Sequence, residues 1–224
     1  MAETRLGRRT SWRILAAGLA LVVAIMSVWL LVDPPPGLSP LRGDDATRLI
    51  TEQWVQIYYD RSSPVSRSDG DITIVAFLDH ASADCRKLAA ALSQLHRLDR
   101  GVQTIFKEIA APDSIADFAS RALLAANRQD RFLLLHRELI QGPRQMTESS
   151  VIMAAEIAGL DIERLRVDMK DPAIAKALEE NRNLAHVLGI RSPALIIGDR
   201  IYHGTTDLKA LQVAVAQARS ETPQ

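Results

Sequence analysis

Three side chains within six residues, His80, Ser82 and Cys85, are of the types that carry out nucleophilic chemistry. They follow an apolar run at residues 72–78, and an amphipathic segment with helical spacing comes directly after them. We call residues 79–84 the corner. A strand that leads into a helix places the corner beside unpaired backbone N–H groups and the positive end of the helix dipole. A thiol or hydroxyl anion would be stabilised there, so the corner is the candidate site.

Simpler interpretations of the same residues remain open. Cys85 is the only cysteine, and a free cysteine is often a small buried residue rather than a reactive thiol. Ser82 has the position of a helix N-cap. A soft metal bound by His80 and Cys85 with Asp79 or Asp84 is a weaker hypothesis, because the spacing is irregular.

The other histidines are interpreted without a chemical role. We expect His96, His136 and His186 to lie on helix surfaces or to be half-buried. His203 stands near the end of a predicted strand, from which it could face the corner.

The elements around the corner predict an α/β fold. A buried strand and a helix are followed by a second strand at residues 102–109, and then by helical segments throughout 114–189. The chain continues with a strand at 194–197, a Gly198-Asp199 turn, a returning strand at 200–203 and a final amphipathic helix. The order β-α-β, helical insert, β-β-α requires a parallel first pair and an antiparallel hairpin.

The N-terminal region predicts a membrane anchor. Residues 14–32 carry no charge, and nineteen residues are about enough to cross a bilayer core. Bulky side chains stand where a signal peptide would be cleaved, which favours an uncleaved span. Residues 1–13 hold four arginines and one glutamate, a net charge of +3 that places this tail in the cytoplasm and the domain outside.

The predicted organisation is a cytoplasmic tail at 1–13, a transmembrane helix at 14–32, a proline-rich linker at 33–43, a domain at 44–219 and a short tail at 220–224. The chain has zero formal net charge and no basic run outside the tail, so nothing favours a nucleic-acid partner. A single cysteine excludes an intrachain disulfide.

Three motifs carry a resemblance to the DsbA-like branch of the thioredoxin superfamily. The sequence VAFLDHASADC at 75–85 resembles that family's strand and C-x-x-C corner. The stretches IAAPDS at 109–114 and AGLD at 158–161 are similar to parts of its helical insert. The sequence LGIRSPA at 188–194 resembles the strand start that contains the family's cis-proline.

The resemblance, which covers about residues 70–218, implies a thioredoxin-like fold with a DsbA-type helical insertion. It implies a cis-proline at Pro193, packed beside Ser82 and Cys85. In the family, backbone groups before that proline pair with an extended polypeptide, which is strand addition. The implied polypeptide-binding residues are Ser192, Pro193 and His80.

Two departures argue against the family's usual reaction. Ser82 stands where the attacking cysteine would be, and Ala76 stands where the family has a buried acid. A serine hydroxyl cannot form a disulfide, so the two-electron couple is absent. We therefore expect a degenerate S-x-x-C site at Ser82 and Cys85.

The predicted function is that of a membrane-anchored protein of the disulfide-exchange and protein-folding class, acting as a peptide-binding chaperone or assembly factor. Its expected partners are extracytoplasmic polypeptides or a redox protein. Its expected location is the inner membrane, with the domain in the periplasm. No cofactor is expected. Two alternatives remain. Ser82 could serve a glutathione-dependent transferase or isomerase, since the corner is similar to the S-P-Y-S of kappa-class enzymes, or Cys85 could act as a single thiol.

Overall fold

The computed structural model describes residues 39–41, 44–143 and 145–221. Those residues form strands and helices with the following bounds: β1 Ser39–Leu41, α1 Asp44–Glu52, α2 Trp54–Tyr58, β2 Ile72–Leu78, α3 Ala83–Leu98, β3 Val102–Glu108, α4 Ile115–Asn127, α5 Phe132–Gln141, α6 Glu148–Ile157, α7 Ile162–Asp168, α8 Pro172–Val187, β4 Ala194–Ile197, β5 Arg200–His203 and α9 Leu208–Glu221.

The strands form one sheet in the order β1-β5-β4-β2-β3. Strands β2 and β3 are parallel with α3 between them, and β4 pairs antiparallel with both β2 and β5. Gly198 has a φ of 62° in the β4–β5 turn, a conformation that favours glycine. The predicted β-α-β unit and the β-β-α ending are both confirmed.

Strand β2 is the centre of the core. Ile74, Ala76 and Leu78 belong to the apolar cluster on the face covered by α3 and the insert helices. Val75 and Phe77 belong to the cluster on the opposite face, with residues from α8. Both faces are buried, which explains the continuous apolar run in the sequence.

The insert begins its helices with side-chain caps. Ser114 accepts a hydrogen bond from the backbone N–H of Asp117, and Asp161 accepts one from Arg164. Thr147 and Ser150 form a capping box at the start of α6. Each cap satisfies N–H groups that have no partner inside the helix, so the insert is helical where the sequence predicts it.

The N-terminal part of the described domain forms two short helices and an edge strand. Helices α1 and α2 are separated by Gln53, and Trp54 on α2 is 48% exposed. Residues 39–41, which we expected to belong to the linker, form edge strand β1 with Pro40 opposite Tyr202. An edge strand tolerates proline because one side of its backbone needs no partner.

The predicted tail at 1–13 and transmembrane helix at 14–32 lie outside the described residues, as do linker residues 33–38. Among the helices that are described, none is long and apolar enough to cross a membrane.

Candidate functional site

Ser82 lies in the corner and caps helix α3. Its backbone is extended, with φ −75° and ψ 130°, and its hydroxyl oxygen accepts a hydrogen bond from the backbone N–H of Cys85 at 3.5 Å. This is the geometry of a helix N-cap, an interaction that contributes about 1 kcal/mol in typical helices. Ser82 thus has a structural function whether or not it has a chemical one.

Cys85 lies one turn into α3, and its thiol is closed off from solvent. The residue is 1% exposed, and its Sγ lies 2.9 Å from Oγ of Ser192. Burial raises the pKa of the Cys85 thiol, and hydrogen bonds from Ser192, the Asp79 backbone and Ser82 offset only part of that rise. Because the thiolate is the nucleophile, this environment makes Cys85 a poor one.

The segment before β4 lies beside this thiol. The Ser192–Pro193 peptide bond is cis, Ser192 is exposed and Pro193 is buried. The Pro193 carbonyl accepts a hydrogen bond from the Gly204 N–H at 2.9 Å. By contrast, no backbone hydrogen bond of Arg191 or Ser192 is found among the residues that the structure describes. We call Arg191 and Ser192 the ledge, since their backbone groups are open to a second polypeptide.

The corner itself is held from two sides. The Asp79 carboxylate accepts a hydrogen bond from the Ala81 N–H at 2.8 Å, which forms an Asx turn. One guanidinium nitrogen of Arg86 donates to the carbonyls of His80 at 3.0 Å and Ala81 at 3.2 Å. These bonds fix the backbone that leads to Ser82.

His80 points into the protein rather than towards the ledge. It is 1% exposed, its Nδ1 lies 3.1 Å from Oε2 of Glu108, and its Nε2 lies 2.8 Å from Nδ1 of His136. With both ring nitrogens occupied, His80 cannot contact a polypeptide on the ledge in this conformation. The expectation that His80 binds substrate needs correction, because its imidazole is buried and hydrogen-bonded to Glu108 and His136.

The same geometry bears on the metal hypothesis. A metal-ligating histidine offers a ring nitrogen that has a free lone pair. Both nitrogens of His80 are already hydrogen-bonded, and Cys85 is bonded to Ser192. Within the described ranges, no group of three or more His, Cys, Asp or Glu side chains is arranged to hold a metal ion.

A fully buried acid lies on β3, the strand next to the one where the resemblance implies a buried acid. Ala76 is fully buried and pairs with Phe106 in register. Glu108, opposite Leu78 at the end of β3, is also fully buried and accepts a hydrogen bond from Ser120 at 3.1 Å. Sequence reasoning missed Glu108, because a charged residue at a strand end is normally solvated.

The prediction that His136 lies on a helix surface or is half-buried is wrong. It is only 4% exposed, not half-buried, and its ring packs between Phe106 and Phe132 with centroids 4.9 Å and 5.5 Å away. Burial, together with the nearby His80 and His96, lowers the pKa of His136 well below 6.5. The available signal was its position in the apolar stripe of α5, where it stands four residues after Phe132.

Comparison with known proteins agrees with this geometry. A family described as the DSBA-like thioredoxin domain matches residues 73–216. A thioredoxin-like oxidoreductase from Silicibacter pomeroyi has 30% sequence identity and a TM-score of 0.71, over 75% of this chain and 98% of that one. The catalytic domain of Proteus mirabilis ScsC has 24% identity and a TM-score of 0.71, over 78% and 99% of the two chains.

One curated relative is a much longer protein. The Na(+)/H(+) antiporter NhaA 3 of Salinispora tropica is 23% identical over 206 residues, which are 89% of this chain but 32% of the antiporter. The chain therefore spans about a third of that relative's length. Since the family match extends over more than half of the chain and the solved structures share its fold, the chain belongs to the DsbA-like thioredoxin domain family.

Proposed function

We propose that this protein binds extended polypeptides on the ledge beside Pro193, as a chaperone or assembly factor, and does not exchange disulfides by itself. One observation carries the proposal: a buried thiol lies beside an exposed stretch of backbone. Cys85 is buried and bonded to Ser192, whereas the ledge residues are exposed and their backbone groups have no hydrogen-bond partner among the described residues. Strand addition uses main-chain hydrogen bonds and needs no thiol.

Disulfide exchange needs a chemistry that one chain of this protein lacks. The reaction begins with thiolate attack and is completed by a second sulfur. Cys85 is the only sulfur of that kind, its pKa is raised by burial, and the position three residues earlier is occupied by Ser82. Catalytic turnover would therefore require both a partner thiol and exposure of Cys85.

The same proposal includes a membrane anchor. Residues 14–32 would span the inner membrane, with residues 1–13 in the cytoplasm, the linker at 33–43 and the domain at 44–219 in the periplasm. The uncharged stretch and the four arginines before it support this arrangement. A tethered ledge would meet polypeptides as they emerge from or assemble at the membrane.

Insulin reduction tests the proposal with a built-in positive control. We expect the full-length chain in detergent to show no turnover, and the Ser82→Cys variant to gain it, because the substitution supplies the attacking sulfur. Ser82→Ala is the matched control for loss of the helix cap and should stay inactive. Turnover by the wild type at the rate of a dithiol enzyme would contradict the proposal.

The two alternative functions make different demands on the same corner. A glutathione-dependent enzyme would bind glutathione, and Ser82→Ala would weaken that binding. A single-thiol redox protein would form mixed disulfides in cells, and Cys85→Ser would remove them. We expect neither result, because the Ser82 hydroxyl caps α3 and the Cys85 thiol is buried.

A further inference from the structure

Behind the corner, three titratable side chains from different elements form a row of contacts, which we call the line. Glu108 on β3, His80 in the corner and His136 on α5 are joined by contacts of 3.1 Å and 2.8 Å. Their exposed fractions are 0%, 1% and 4%. A buried carboxylate is strongly unfavourable unless a hydrogen bond or a cation compensates for its lost hydration, so the placement of protons along this line matters.

The contacts restrict where the protons can be. With Glu108 as a carboxylate, which only accepts, the proton of the contact between Glu108 and His80 is on Nδ1 of His80. The contact between Nε2 of His80 and Nδ1 of His136 joins two nitrogens and holds one shared proton. When both rings are neutral, that proton is bonded to Nδ1 of His136. Nε2 of His136 then carries no proton, and the three side chains together carry the negative charge of Glu108.

The far end of the line is accessible. His136 lines a cavity of about 380 Å³ between α3 and α5. Its Nε2 has no hydrogen-bond partner within the part of the chain that is described. At the near end, Oε1 of Glu108 is buried and likewise lacks a hydrogen bond to any described residue. The line thus joins a carboxylate, one oxygen of which is buried without a hydrogen bond to a described residue, to a nitrogen that can take up a proton.

We propose that Glu108, His80 and His136 form a buried proton-uptake site that is loaded through the cavity between α3 and α5. A hydronium ion gives a proton to Nε2 of His136 and leaves as water. The shared proton then moves from Nδ1 of His136 to Nε2 of His80, which keeps its own Nδ1 proton. His136 ends neutral with its proton on Nε2, and His80 ends as an imidazolium opposite the Glu108 carboxylate.

The proposed transfer brings the buried line to zero net charge. The proton that enters at the cavity leaves its positive charge on His80, beside the carboxylate and within the corner. The imidazolium and the carboxylate form an ion pair in a low-dielectric site, where such a pair is much stronger than in water. The backbone of the corner is thereby held to β3 by a bond whose strength depends on pH.

Charged and titratable groups from several elements surround the line. Arg86 and His96 lie on α3, Asp79 lies in the corner, and Arg97 and Arg137 line the cavity. On α4, one turn from Ser120, Asp117 pairs with Arg121 and with Arg182 of α8. Arg86 bonds to the His80 carbonyl, and Asp117 is already paired with two arginines. His96 contacts Thr104 at 2.8 Å and shares the cavity with His136, so it is the side chain whose titration must be separated from that of the line.

Nitrogen-15 NMR of the imidazole rings tests the proposal, because it reports the protonation of each ring nitrogen. The sample is the full-length chain in detergent micelles, labelled at histidine, from neutral to mildly acidic pH. We expect one proton to be taken up, with His80 protonated on both nitrogens and the proton of His136 moving from Nδ1 to Nε2. A His136 that keeps its Nδ1 proton at every pH, or that itself becomes the cation, would overturn the proposal.

Two variants separate the line from its surroundings. Glu108→Gln keeps the size of the side chain but removes the carboxylate, so His80 should no longer become doubly protonated in the same pH range. His96→Gln changes the other histidine at the cavity and should leave the tautomer change at His136 intact. If Glu108→Gln fails to fold, the wild-type spectra decide the matter alone, since they contain both the expected and the contradicting pattern.

Discussion

The buried His136 predicts a specific dependence of stability on pH. An unfolded chain protonates this side chain as pH falls through about 6.5. In the folded protein, burial and the nearby His80 and His96 lower the pKa of His136 well below 6.5. The unfolded state therefore binds more protons in mild acid. The stability linked to neutral His136 is fully present above pH 6.5 and is lost as pH falls below it.

The magnitude follows from counting protons. Unfolded His136 binds one proton in mild acid that the buried, neutral side chain of the folded protein does not bind. One missing proton with an unfolded pKa of about 6.5 lowers the free energy of unfolding by about 2 kcal/mol between pH 7 and pH 5, at about 1.4 kcal/mol per pH unit. In His136→Gln the amide can still donate to His80, and this loss should disappear.

Denaturant unfolding followed by far-UV circular dichroism, at several pH values in the same detergent, measures this loss. His136→Gln should be less stable than the wild type at pH 7, because ring contacts with Phe106 and Phe132 are lost, but its stability should fall less towards pH 5. His186→Gln, at an exposed position, is the control and should follow the wild type. Parallel curves for the wild type and His136→Gln would refute the reasoning.

Further predictions concern the thiol and a second buried charge. Cys85 should react with a maleimide far more slowly in the native protein than in denaturant, since it is 1% exposed and burial raises its pKa; equal rates would show that the thiol is open. Lys107 is also 1% exposed and donates a hydrogen bond to Asp60 at 2.8 Å. Asp60→Asn should lower the free energy of unfolding, measured with denaturant, by about 3 kcal/mol, because it leaves a buried ammonium without its carboxylate. Lys107→Met, which removes the ammonium, should lower it clearly less. Burial raises the pKa of Asp60, but hydrogen bonds from Lys107 and Ser62 outweigh that effect and lower the pKa to about 2. The stability that this pair contributes should therefore be present above about pH 4 and lost as pH falls towards 2. Asp60→Asn should not show this loss.

Much of the fold could be predicted because its signals are local. The apolar run of β2, the capping serines and aspartates of the insert and the Gly198 turn each act within a few residues. The N-cap at Ser82 and the burial of Cys85 could be foreseen in the same way, as the simpler of two interpretations. These interactions depend on neighbouring positions that the sequence displays directly.

The buried charges could not be predicted, because their partners come from distant segments. Glu108 and His136 are 28 and 56 residues from His80, and Lys107 is 47 residues from Asp60. Each side chain taken alone suggests solvent exposure. Only the fold brings them together, and only the pairing makes their burial tolerable. His80 shows the consequence most clearly, since proximity to Ser82 in sequence suggested a surface role that its buried contacts exclude.

Amide hydrogen exchange at the ledge tests the central claim most directly. The full-length chain would be mixed with a reduced, carboxymethylated polypeptide, which offers an extended backbone and no sulfur that can react. We predict slower exchange at the amides of Arg191 and Ser192, to the same degree in the wild type and in Cys85→Ser, because main-chain pairing needs no thiol. Unchanged exchange at these two amides, or protection that appears only with a polypeptide bearing thiols or disulfides, would contradict the account.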